Sequence, residues 1–178
     1  MKLRFLLASL LLSCGGALAN DASLLLNGAF DQGSGEGMLL SVPKHWFVTG
    51  LDVVEPNSWV RILDVSENGT AGVELKGASV EAPQFLYQDV ETAIHEKGPY
   101  LLRWKAKGTG MAEIAVAQRE GSGSFTPSSK RIDLAPSFES HEIPLTIPED
   151  ADYVRVIVRP ASAEAEVIIS QVELVPAK

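Results

Sequence analysis

Apolar side chains return at every second position through most of this chain, and no stretch of about eleven residues or more keeps a helical stripe. Successive side chains on a strand point to opposite faces, so this pattern fixes the element type and assigns each residue a side. Around Trp104, the set Tyr100, Leu102, Trp104 and Ala106 takes one face, with Leu101, Arg103, Lys105 and Lys107 on the other. Ile114, Val116 and Gln118 oppose Glu113, Ala115, Ala117 and Arg119 in the same way. Val154, Val156 and Val158 oppose Tyr153, Arg155, Ile157 and Arg159. The apolar set of each strand is the expected core, Trp104 included, at about 1.5–3 kcal/mol per fully buried large side chain.

Strands are expected at 24–26, 59–65, 71–75, 85–90, 100–106, 112–118, 130–134, 141–147, 153–158 and 166–174. Ser66-Glu67-Asn68-Gly69 signals a hairpin, His95 lies in an inter-strand turn, Gly108-Thr109-Gly110 turns the chain, and Pro148-Glu149-Asp150 turns it again. The segments 32–37 and 120–129 are Gly-rich and Gly/Ser-rich loops. Short strands at this spacing, bounded by Gly and Pro, predict an all-β fold: one antiparallel β-sandwich with no internal repeat.

The ends bound the domain. Lys2 and Arg4 precede an apolar run from Phe5 to Leu12, and Ala17-Leu18-Ala19 offers the small residues a signal peptidase reads. Residues 1–19 are therefore expected to be a secretory signal, too short to be a transmembrane segment, and residues 20–178 the folded domain. Leu11-Leu12-Ser13-Cys14 also resembles a bacterial lipobox loosely, which would leave Cys14 as a lipid anchor. The chain is expected to be secreted, periplasmic or at the cell surface. Cys14 is the one cysteine, so either outcome leaves no disulfide framework, thiolate metal site or cysteine nucleophile in the domain. Without Lys2 and Arg4, 13 basic face 23 acidic residues, a net charge of −10. Such a domain, lacking a basic stripe, is a poor partner for nucleic acid or anionic lipid.

The motifs, taken in order, carry a resemblance. LLLNGAFD followed by PKHW, then NGTAGVELKG, LYQDV, KGPYLLRWKAKG, SFESHEIPLTIPEDADYVRVIV and EVIISQVEL run through most of the mature chain. Together they resemble the bacterial carbohydrate-binding modules of galactose-binding-like jelly-roll fold, the group often appended to xylanases and glucanases. The resemblance implies a jelly roll, reversible binding of a polysaccharide or glycan, no catalysis, and a structural role for Trp46. It also implies a structural calcium, in part through Asp31. The closing-strand position that commonly supplies an Asp falls here on Ser170 or Gln171, which removes a carboxylate from a cation that prefers several.

Sugars are held by aromatic faces against their C–H surfaces and by planar polar groups at their hydroxyls. The outward aromatics expected from alternation are Trp59, with Arg61 on its face, Tyr87, and Tyr153 beside Arg155. The bland reading of each is an edge aromatic filling a gap under a loop. On the outward face of two strands expected to be adjacent, Arg103, Lys105 and Glu113 flank a trough floored by Ala115 and Ala117. The bland reading there is a wet sheet face, or a trough covered by the loop at 120–129.

Catalytic readings fare worse. His45, His95 and His141 have no spacing that makes a metal pair, and the serines of 121–124 sit in a loop rather than at a strand-to-helix elbow. Gly33-Ser34-Gly35-Glu36-Gly37 precedes neither a helix nor a Lys, so it is no phosphate loop. The rival to glycan binding is a cell-surface structural or protein-interaction sandwich. A cluster of solvent-facing aromatics on one sheet separates the two.

Overall fold

The computed structural model describes residues 23–30, 43–48, 60–64, 71–77, 85–91, 97–120 and 126–178. Within them run β1 (Phe47–Val48), β2 (Val60–Asp64), β3 (Ala71–Lys76), β4 (Leu86–Glu91) and β5 (Gly98–Thr109). Next come β6 (Met111–Glu120), β7 (Thr126–Asp133), β8 (Glu139–Ile147), β9 (Ala151–Pro160) and β10 (Glu166–Pro176). The first sheet has the order β1-β4-β9-β6-β7 and the second β2-β3-β10-β5-β8, with every pairing antiparallel. Among the described residues there is no α-helix, and none of the length and apolarity needed to cross a membrane.

The inner faces are those the alternation assigns. Leu86 and Val90 on β4, Val154, Val156 and Val158 on β9, and Ile114 and Val116 on β6 are buried from the first sheet. Val73 and Leu75 on β3, Leu102 and Trp104 on β5, and Val167, Ile169, Val172 and Leu174 on β10 are buried from the second. All belong to one core cluster. Trp104 is 3 % exposed and stacks on the His141 ring at 5.4 Å.

The opening motif is a backbone knot rather than the strand expected at 24–26, which is bends and turns here. Asn27 and Phe30 hold φ of +50° and +57°, a region Asn tolerates but a bulky aromatic rarely enters. Phe30 is buried and packs on Trp46 at 5.2 Å, and Trp46 Nε1 donates to the Asn27 carbonyl at 3.2 Å. The Asn27 amide in turn donates to the Lys44 carbonyl at 3.0 Å. Asn27, Phe30 and Trp46 are thus one packing unit, the structural role expected of Trp46. Gly28 lies so close to the Val172 carbonyl that a Cβ would overlap it, and its own carbonyl accepts from Val172 N at 2.8 Å. Buried Gln88 reaches this segment from β4, accepting from Leu26 N at 2.7 Å and donating to Leu26 O at 2.8 Å.

Strand adjacency departs from the expectation. β5 and β6 are joined through Gly110, at φ +73°, yet they belong to different sheets. β6 pairs with β7 and β9, while β5 pairs with β8 and β10. A tight turn can close a hairpin or arch the chain from one sheet to the other, and local alternation is the same in both cases. Part of the expected loop is also strand, since β7 begins at Thr126.

Candidate functional site

Two outer faces are available, and they differ in chemistry. On the first sheet, Tyr87 points away from the core, as its alternation with Leu86, Gln88 and Val90 requires. It stands opposite Phe47 on β1, with ring centroids 5.6 Å apart, and the Phe85 ring lies 5.7 Å from it. Phe47 is 55 % exposed. Arg155, on β9, lies over the Tyr87 ring at 4.3 Å and donates to both oxygens of Asp89, at 2.6 and 2.8 Å. Those bonds to Asp89 push its guanidinium above its ordinary value. One position along the sheet, the Arg119 guanidinium covers Tyr153 at 4.7 Å. Aromatic rings and guanidinium planes therefore alternate across this face.

Next to them runs the outward row of β6. Ala115 stands between Ile157 and Ser129, and Ala117 between Arg155 and Pro127; both alanines are buried, so their neighbours rather than they present the surface. Glu113 begins the row, with its side chain 7 % exposed. Its Oε1 accepts from Arg159 Nη2 at 2.8 Å and its Oε2 from Arg131 Nε at 2.9 Å. Burial pushes the Glu113 carboxyl up, but the hydrogen bonds and charges of Arg131 and Arg159 outweigh that and leave it below its ordinary value. Glu113 thus fixes two guanidiniums rather than standing free for a hydroxyl.

The second sheet presents a polar depression of about 400 Å³, bordered by Arg103, Lys105, Ser140, Glu142, Gln171 and Glu173. Arg103 is 3.7 Å from Glu142, and the Gln171 amide donates to Glu173. Among the described side chains, the aromatic on this outer side is Phe138, beneath the Lys107 ammonium at 4.7 Å.

The expected site residues are accordingly divided. Tyr87, Tyr153 and Glu113 share the outer face of the first sheet. Arg103 and Lys105 lie on the outer face of the second, so the trough expected to join Arg103 to Glu113 does not form, because β5 and β6 are not neighbours. Arg61 is on β2, at the edge of the second sheet and opposite Glu74. Trp59 lies outside the described residues, as do Asp31 and Cys14. Phe47, Phe85, Arg119, Arg131 and Arg159 were not expected at the site. Phe85, Arg119 and Arg159 could have been found by parity, each sharing its strand face with a candidate already singled out.

The calcium expectation rests in part on Asp31, which lies outside the described residues. Ser170 is buried beside a β-bulge between Ile169 and Gln171, and among the described residues no group of three or more His, Cys, Asp or Glu is placed to hold a metal. Half-buried His141 is held below its ordinary value by burial, with Glu139 and Lys130 acting in opposite directions, and its ring is spent on Trp104.

No protein-family model matches the sequence, and no curated protein matches it. The architecture does match solved structures. A family 61 carbohydrate-binding module, solved with β-1,4-galactotriose, superposes with a TM-score of 0.57 at 17 % identity. That match covers 87 % of this chain and 99 % of the module. The CBM22-1 xylan-binding domain from Paenibacillus barcinonensis gives 0.58 at 15 % identity, over 90 % of this chain and all of that domain. The fold is that of the carbohydrate-binding modules. The same jelly roll recurs in the enzymatically active domain of tailspike protein 4 of bacteriophage CBA120, with a TM-score of 0.61 at 17 % identity. There it covers 85 % of this chain but only 21 % of the tailspike chain.

Proposed function

We propose that this is an exported, non-catalytic glycan-binding protein whose site is the outer face of the first sheet. The observation that carries the reading is the cluster of Phe47, Tyr87 and Phe85, presented outward with Arg155 over the middle ring. Flat rings cover the C–H side of a sugar, and the adjoining guanidiniums and Asp89 supply hydrogen bonds at its rim. One structural neighbour was solved with β-1,4-galactotriose and another is a xylan-binding domain, which supports a polymer as ligand. The charged-then-apolar opening of the sequence supports export, and Cys14 would anchor the protein instead of releasing it if the lipobox is used. A protein-interaction role without a sugar site is the second reading, and an outer face without clustered aromatics would favour it; among the described side chains the second sheet offers Phe138.

Affinity electrophoresis through β-1,4-galactan, xylan and acidic polysaccharides tests the reading. Phe47→Ala and Tyr87→Ala should each weaken retention about tenfold, equivalent to about 1.4 kcal/mol. Exposed Phe47 contributes little to folding, so its variant should melt within about 2 °C of the parent. Unchanged retention of both variants, in a polymer that holds the parent, contradicts this site.

A further inference from the structure

We propose that the ligand is an acidic polysaccharide, one whose sugar rings carry carboxylates, and that Arg131 and Arg159 receive them. This deepens the glycan reading and rests on it. Glu113 stands directly opposite Arg131 on β7 and Arg159 on β9, so the three form one row across the sheet. Each arginine gives one nitrogen to the shared carboxylate, and among the described residues neither has another hydrogen-bond partner. A guanidinium carries five N–H donors in a planar fork, so most donors of the pair remain unspent. The Arg131 side chain is 64 % exposed and that of Arg159 33 %, placing the pair where a ligand reaches it.

The charge arithmetic points the same way. One carboxylate between two guanidiniums leaves the row at +1, and Asp133, next along this face of β7, makes no ion pair with them within 4.0 Å. Arg155 is matched by Asp89, whereas Arg119 lies on Tyr153 in no ion pair among the described residues. By register Asp89, Glu91, Glu113 and Asp133 share this face with Arg119, Arg131, Arg155 and Arg159, in a domain that carries −10 without its first 19 residues, so the positive balance is local to the row. A fold so acidic has acids in excess to neutralise every arginine, yet here two are gathered on one buried carboxylate. That arrangement pre-orders both forks, and a planar carboxylate is the group a fork binds bidentately. From Glu113 to Arg119 the outward row of β6 spans about 20 Å at the rise of an antiparallel strand, so the charges at its two ends suit a chain rather than one sugar.

The full-length protein, run through gels containing polygalacturonate, alginate or glucuronoxylan, tests this. At least one of these should retard it about tenfold more than β-1,4-galactan or unsubstituted xylan does, and retention should fall as salt rises from about 0.05 to 0.2 M. Methyl-esterified polygalacturonate should lose what polygalacturonate gains, and dextran sulfate should bind more weakly than the carboxylated polymer. Arg131→Gln, which leaves Arg159 on Glu113, should reduce acidic retention about tenfold. Its loss of retention in the neutral polymers should be much smaller, no more than about twofold. Equal retention by neutral or esterified polymers, or by dextran sulfate, overturns the proposal while glycan binding stands. Retention by no polymer at all overturns the glycan reading itself.

Discussion

Trp104→Ala is expected to lower the free energy of unfolding by about 3–5 kcal/mol, the range for truncating a buried large aromatic. The indole is 3 % exposed, stands opposite Val172 and His141 across its two neighbouring strands, and stacks on the His141 ring at 5.4 Å. Removing it leaves a cavity bounded by a second aromatic ring that loses its partner. Urea denaturation followed by circular dichroism measures the change directly. A loss below about 1 kcal/mol would contradict the inside and outside assignment, since that is the scale of an exposed or freely collapsing site. Glycan retention by the folded variant should persist, because Trp104 belongs to the other sheet.

Gln88→Leu is expected to cost about 2–4 kcal/mol despite replacing a polar side chain by an apolar one in the core. The amide makes a reciprocal pair with the Leu26 backbone, at 2.7 and 2.8 Å. Leucine fills the space but satisfies neither group, and each buried donor or acceptor left alone costs about 1–3 kcal/mol. The effect should be local as well as global. Gln88 ties the Asn27–Phe30–Trp46 knot to β4, so amide exchange at Leu26 should accelerate more than at Val154 or Val156. Slow exchange at Leu26 in the variant, with unchanged stability, would show that the segment is held by its bonds to β10 alone.

Much of the fold is legible in the residues because side-chain direction on a strand has a period of two and one-sided burial enforces it. Tyr100, Leu102, Trp104 and Ala106 are buried as the pattern demands, and so are Val154, Val156 and Val158. What alternation does not contain is which strand lies beside which. Arg103 and Glu113 are ten positions apart with a tight glycine turn between them, and a hairpin would set them side by side. The chain instead arches between sheets at Gly110, which separates the two charges onto opposite surfaces. Phe47 was illegible for a related reason: β1 has two residues, too few to show a period, and only its pairing with β4 reveals that the ring meets Tyr87. The Arg131–Glu113–Arg159 row joins the consecutive strands β6 and β7 to β9 and depends on register.

The account stands on the outer face of the first sheet being the surface that meets the glycan. Two-dimensional amide spectra of the ¹⁵N-labelled protein, recorded while adding oligosaccharides of the polymer that retards it most, test this most directly. The largest shifts should fall at 85–89, 113–119, 129–131 and 153–159. Shifts confined to 103–105, 140–142 and 171–173, around the polar depression of the second sheet, would contradict it.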